Sequence, residues 1–291
     1  MDGDVSHRIG IMQGRLLPPV NGQIQAFPRE RWQEEFPLAS RLGFSAIEFI
    51  FDVQGEAIRN HPLLENGCQS MRATTKEYGV GVKTICADYF MKHPFHSTDS
   101  DAAEESLEIL AELISQCRIL GVTDIVIPCV DQSRLKEASD RQILVRRLRS
   151  VVPLCESAGV NLALETDLEP AEFRRLLEHF DSRRVTINYD VGNSASLGYN
   201  PVEEWRAYGD RVSSVHIKDR LLHGPTVALG TGAARFQDFF RVAKESGYKG
   251  LFILQGARGS DNIATAVSYK AFVEQCLKRI EGEENGTQPQ G

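Results

Sequence analysis

The stretch Asn161-Leu162-Ala163-Leu164-Glu165-Thr166-Asp167 decides how the chain is read. It is a short apolar run that ends in carboxylates. Consecutive apolar residues at this length suit a strand covered on both faces, as in parallel sheets flanked by helices. A carboxylate at the mouth of such a strand is costly to desolvate unless a partner meets it there. Two later runs end in a similar way. Val185-Thr186-Ile187-Asn188-Tyr189-Asp190 closes on an acid, and Val212-Ser213-Ser214-Val215-His216-Ile217 carries His216 and is followed by Lys218 and Asp219. Glu, Asp and His at successive strand ends are the ligand types of a divalent metal site.

Outward from this stretch the same unit repeats. Strand-like runs fall at residues 9–14, 46–52, 80–90, 124–130, 161–167, 185–190, 212–217 and 251–255. Helical patterns follow at 29–42, 62–78, 101–120, 140–158, 170–179, 201–208, 236–246 and 263–280. Gly43, Gly79, Gly121, Gly159 and Gly247 stand where helices should stop, and Pro153 should kink or split the fourth helix. Eight strand-then-helix units predict an α/β fold of the (β/α)₈ TIM-barrel type, in one domain over residues 1–282. An open doubly wound sheet fits less well, because Gly10-Ile11-Met12-Gln13-Gly14 is not the G-x-G-x-x-G turn. The polar residues 283–291 are expected to be a disordered tail.

Of 291 residues 42% are hydrophobic, enough for a large core, and the formal net charge is −7 from 33 basic and 40 acidic residues. No Lys/Arg-rich block suggests a nucleic-acid partner. Six scattered cysteines form no C-x-x-C pair, which fits a reducing compartment. The N-terminus lacks a signal-peptide apolar region, and no run is long enough to span a bilayer. The expectation is a cytoplasmic protein without a membrane partner.

A barrel of this kind brings its chemistry to the C-terminal ends of the strands. The polar residues there are Gln13, Arg15, Glu48, Asp52, Cys86, Asp88, Asp131, Glu165, Asp167, Asn188, Asp190, His216, Lys218, Asp219 and Gln255. Asp52, Asp131 and Asp167 read as ordinary loop polarity. Glu165, Asp190 and His216 read as functional, because each lies within or just at the end of an apolar run. The aromatics Phe51, Tyr89 and Phe90 read as wall packing ahead of a sugar-stacking surface.

Ala163-Leu164-Glu165, Asn188-Tyr189-Asp190-Val191-Gly192-Asn193, Val215-His216-Ile217-Lys218-Asp219 and Leu229-Gly230-Thr231-Gly232 resemble the xylose-isomerase-like TIM-barrel superfamily. So does the opening Gly10-Ile11-Met12-Gln13-Gly14-Arg15-Leu16. More narrowly, the chain is similar to the sugar (phosphate) isomerase/epimerase branch, with ketose 3-epimerases, hydroxypyruvate isomerase and inosose dehydratase as relatives. The resemblance runs from Arg8 to Ile280. It implies a site in which Glu, Asp, His and Glu hold one divalent ion, Mn²⁺, Mg²⁺ or Co²⁺. The first three match Glu165, Asp190 and His216. The fourth position, at the end of the eighth strand, holds Gln255.

That departure matters. The two glutamates of the pattern also act as acid and base on opposite faces of the substrate, and an amide cannot take up a proton. Glu165 is then the expected base, with Lys218 polarising an oxygen, and a second acid would come from Asp88, Cys86, Lys218 or Asp219. Gln13, Arg15, Glu48, Asp88, Asn188, Arg220 and Arg258 are expected to bind a sugar or sugar phosphate. For Arg258 the reason is its place in the glycine-containing loop 256–260, ahead of the last helix. The resulting expectation is a metal-dependent carbohydrate isomerase or epimerase acting through an enediolate. A keto-sugar or inosose-type dehydratase, and a non-catalytic sugar-binding or degenerate member, are the alternatives; a DNA-repair endonuclease on the related fold is more distant. A homodimer is common among such relatives.

Overall fold

The computed structural model describes residues 8–53, 57–64 and 67–285. Eight parallel strands close into a barrel: β1 (Ile9–Met12), β2 (Ala46–Ile50), β3 (Thr84–Cys86), β4 (Asp124–Cys129), β5 (Asn161–Thr166), β6 (Val185–Asp190), β7 (Val212–Ile217) and β10 (Phe252–Leu254). Neighbours round the ring follow chain order, and β10 closes it against β7 and β1. A two-stranded hairpin, β8 (Asp219–Arg220) with β9 (Thr226–Val227), stands apart from the barrel. The helices are α1 (Glu35–Arg41), α2 (Gly67–Tyr78), α3 (Tyr89–Lys92), α4 (Ser100–Leu120), α5 (Ala138–Leu148), α6 (Val152–Ala158), α7 (Pro170–Glu178), α8 (Val191–Leu197), α9 (Pro201–Tyr208), α10 (Phe236–Glu245) and α11 (Asn262–Asn285).

The strands are largely apolar because both of their faces are covered. Every residue of β2, β4 and β6 is buried. An aromatic layer sits around α9, α10 and β10: Trp205, Phe239, Phe240, Tyr248 and Phe252 meet at ring distances of 4.7–6.2 Å. Burying each such ring contributes roughly 1.5–3 kcal/mol. Helix ends follow the punctuation expected of them. Asp99 accepts from the Asp101 and Ala102 amides at the start of α4, and Gly121 closes that helix at φ 72°.

Several expected elements differ. The 29–42 helix begins only at Glu35, after a 3-10 turn at Trp32–Glu34. The Glu35 carboxylate is held by the Gly14 and Leu16 amides, so residues ahead of it stay in a loop over the barrel mouth. The third strand shortens to Thr84–Cys86, because Asp88 turns into the helical region and starts α3. Residues 140–158 split into α5 and α6, with Pro153 in the first turn of α6, where its missing amide costs nothing. Helix α8 was not expected, since its small residues give no apolar period. Helix α11 continues to Asn285, into the stretch read as a tail. Residues 286–291 and the lead-in 1–7 lie outside the described residues.

No helix among the described residues is long and apolar enough to cross a membrane.

Candidate active site

Three carboxylate or imidazole groups converge at the C-terminal end of the barrel. Glu165 lies near the end of β5, Asp190 ends β6 and His216 is on β7. One ligand atom from each lies within 4.8 Å of the others. Parallel pairing places them: Asp190 is the register partner of His216, and Pro128 on β4 is the partner of Glu165.

Each group is fixed from behind. Glu165 Oε2 accepts from Asn188 Nδ2 at 2.8 Å, and Oε1 accepts from Asn193 Nδ2 at 2.7 Å. Asp190 caps α8 by accepting the Asn193 amide at 2.9 Å, and its Oδ2 forms an ion pair with Lys218 Nζ at 2.6 Å. This close approach of β7 to α8 requires Gly192, since a Cβ there would lie 2.8–2.9 Å from Lys218 atoms. His216 presents Nδ1 to Glu165 Oε2 at 3.4 Å and Asp190 Oδ2 at 3.9 Å. Its Nε2 meets Glu48 Oε1 at 2.6 Å, with both side chains fully buried. A carboxylate behind a ligating His fixes the ring and its tautomer.

The electrostatics follow from these contacts. Burial disfavours the His216 cation, but Glu48 and Glu165 outweigh it and raise the imidazole to about 10. Burial pushes Glu165 up, but His216, Lys218 and Asn188 outweigh it and hold the carboxyl below its ordinary range. Burial likewise opposes the Lys218 cation, and the charges of Asp190 and Glu165 raise it. At neutral pH Glu165 is therefore an ionised acceptor and Lys218 a cation.

Gln255 completes the wall, and its orientation is forced. Arg15 has only donors, so Gln25 must turn its oxygen to Arg15 Nη2, at 3.2 Å. Gln25 Nε2 then donates to Asp88 Oδ2 at 2.7 Å, and Gln255 Nε2 donates to the Gln25 oxygen at 3.1 Å. Gln255 Oε1 is left buried without a hydrogen-bond partner. It lines the same cavity, of about 420 Å³, as Glu165, Asp88, Lys218 and Arg220. A buried oxygen with no donor, in a cavity that Glu165 also lines, offers a cation a neutral ligand, so the donor set fits a divalent ion.

A second grouping, Glu48, Cys86 and His216, is also compact. It suits a metal poorly: His216 Nε2 already holds Glu48, and burial, with Asp88 next, keeps the Cys86 thiol protonated.

Other expectations shift. Glu48, expected to bind substrate, lies buried beneath His216. Gln13 is buried, with Oε1 accepting the Ile50 amide. The Arg258 guanidinium donates to the carbonyls of Gly14, Leu17 and Ile24 and ties the 256–260 loop to the β1–α1 loop. Arg15 is engaged with the Ile24 carbonyl and Gln25. Arg220 lines the cavity, holding Asn193 Oδ1 and the Gly224 carbonyl. The Asp219 carboxylate accepts the Gly230, Gly232 and Ala234 amides and pins the 229–232 loop. Asp52 and Asp167 pair with Lys92 and Arg134 as loop polarity, whereas Asp131 borders the cavity. Phe51, Tyr89 and Phe90 pack on one another and are wall. Asn193 and Gln25 were missed. Asn193 had a signal, three residues after the capping Asp190; Gln25 lies in a loop with none.

The model of the xylose isomerase-like TIM barrel family matches residues 36–270. The L-ribulose-5-phosphate 3-epimerase UlaE of Escherichia coli O1:K1 is 23% identical over 233 residues, 78% of this chain and 82% of that protein. A solved structure of L-ribulose 3-epimerase superposes with a TM-score of 0.78 at 18% identity, covering 98% of this chain and 99% of that one. The solved structure of the IolI protein with a bound zinc atom gives 0.71 at 16% identity, covering 94% and 97%. The chain belongs to the xylose isomerase-like TIM barrel family.

Proposed function

We propose that this protein is a divalent-metal-dependent carbohydrate isomerase or epimerase that acts at the carbon next to a carbonyl, with Glu165 as base. The observation that carries the reading is the convergence of Glu165, Asp190 and His216, with Glu165 and the unpartnered Gln255 oxygen lining one cavity. The epimerase names of its relatives and the zinc of the IolI structure support it.

Glu165, Asp190, His216 and Gln255 would hold the ion. When bound, it would supply positive charge to the carbonyl oxygen of the substrate. The protein's own groups do the rest. Glu165 is ionised and locked by two amides, so its proton-accepting oxygen is already oriented. It takes the proton from the carbon beside the carbonyl. Lys218 adds a fixed cation within the cavity, and Asn193, held by Arg220, keeps Glu165 from rotating. Arg15 and Arg258 are engaged with loop carbonyls, so of the sugar and sugar phosphate that the sequence allows, an unphosphorylated sugar suits the cavity better.

The test is a panel of ketoses and ketose phosphates incubated with the protein and Mn²⁺, Mg²⁺ or Co²⁺, followed by NMR and mass spectrometry. The expected product is a stereoisomer or aldose of unchanged mass. Loss of one water would make the enzyme a dehydratase. No bound metal and no product would leave a sugar-binding protein.

A further inference from the structure

We propose that Asp88 is the second proton carrier of this site, working from the β3 side of the cavity while Glu165 works from the β5 side. The inference rests on the isomerase or epimerase reading above.

The argument begins with what the other acids do. Gln255 cannot carry a proton, Asp190 is paired with Lys218, Asp219 is held by three amides, and Glu48 is sealed under His216. Among the described residues that line the cavity, Glu165, Asp88 and Asp131 are the carboxyls. Asp131 is exposed at the rim, where bulk water would exchange any proton it held. Asp88 is half-buried in the wall. It accepts from Gln25 Nε2 at 2.7 Å and from the Cys86 thiol at 3.2 Å, both neutral donors. No ion pair to Asp88 is found among the described residues, whereas Glu165 sits beside two cations. Burial raises the Asp88 carboxyl, against the hydrogen bonds from Gln25 and Cys86. Asp88 is also wired through the Gln25 amide to Gln255.

The step balances without a co-reactant. Glu165 takes the proton from the carbon beside the carbonyl, the C–H electron pair becomes the C=C bond of an enediolate, and the carbonyl π pair moves to oxygen. Protonated Asp88 gives its proton to the same carbon as the C=C pair forms the new C–H bond and the carbonyl re-forms. Glu165 ends protonated and Asp88 ionised; exchange with water restores both.

The experiment runs the metal-loaded enzyme in D₂O with a ketose that the wild type converts. Asp88→Asn should keep deuterium wash-in at that carbon of the recovered substrate while product formation falls about 10²–10⁴-fold. Asp88→Glu should restore part of the product. If Asp88→Asn does not fold, as judged by thermal unfolding, Asp88→Ser takes its place. Product formation within tenfold of wild type would overturn the proposal. So would joint loss of wash-in and product in a folded variant, which would make Asp88 a binding residue. A wild type inert toward every sugar of the panel would sink the functional reading itself, and this inference with it.

Discussion

Replacing Glu48 by Gln and by Ala separates charge from volume at the floor of the site. In the wild type Glu48 Oε1 lies 2.6 Å from His216 Nε2, and neither side chain is exposed. Gln keeps an acceptor and the shape but loses the charge. Hydrogen bonds to charged groups contribute roughly 1.5–3 kcal/mol and neutral ones about 0.5–1.5, so Glu48→Gln should cost about 1–1.5 kcal/mol. Ala leaves the His216 imidazolium without its partner and opens a void, and breaking a buried pair in that way costs about 3–5 kcal/mol. The pH of the assay matters. His216 is raised from 6.5 to about 10 despite burial, because of Glu48 and Glu165. A raised folded-state value means that the stabilisation is whole below 6.5 and is lost as pH climbs through about 10. Urea unfolding of chelated, metal-free protein at about pH 6 therefore reads nearly all of it. The expected order is wild type, then Gln, then Ala, with the Ala variant clearly lowest. Equal losses for Gln and Ala, or an Ala variant within about 0.5 kcal/mol of wild type, would refute the pairing argument. In the same variants Mn²⁺ affinity should fall about 10–100-fold, as when the partner of a ligating His is removed.

Two further outcomes are expected. Burial lowers His61 from 6.5 to about 3, with its Nε2 on the Ile50 carbonyl and its Nδ1 accepting the Leu63 amide. The folded state resists protonation, so stability drops as pH falls below 6.5, by about 2 kcal/mol at about pH 5. His61→Gln should show that much less loss than wild type between about pH 7.5 and 5. The comparison must be between variants, because Glu35, raised to about 7 by burial, changes stability in the opposite direction. The reasoning fails if the two pH profiles run parallel. Gln255→Glu puts an oxygen against the Gln25 oxygen and adds a third carboxylate, so the metal-free protein should lose about 1–3 kcal/mol while Mn²⁺ binds at least about tenfold tighter by calorimetry. Unchanged affinity would mean that Gln255 is not a ligand.

The barrel was legible because its strands are mostly apolar runs with stop residues between them, and both signals are local. The Glu165–Asp190–His216 cluster was legible for a related reason: an acid or imidazole at the end of such a run needs a partner, and the fold supplies neighbours in strand order. What sequence could not show was which side of a residue would be used. Glu48 and Arg258 carry the right chemistry at the right end of the barrel, yet one turns inward to His216 and the other back onto loop carbonyls. The choice at Arg258 depends on the path of the 13–31 loop, which has no periodicity. The same loop supplies Gln25, whose amide sets the orientation of Gln255. Helix α8 escaped notice because Gly192, Ser194, Ala195 and Ser196 are buried without being apolar in pattern.

The most direct measurement is deuterium incorporation at the carbon beside the carbonyl, comparing wild type with Glu165→Gln on the same metal-loaded ketose reaction in D₂O. If Glu165 is the base, the variant keeps its fold, shows no wash-in, and forms product at least about 10²-fold more slowly. Wash-in at the wild-type rate in Glu165→Gln would remove the base from Glu165 and the mechanism with it.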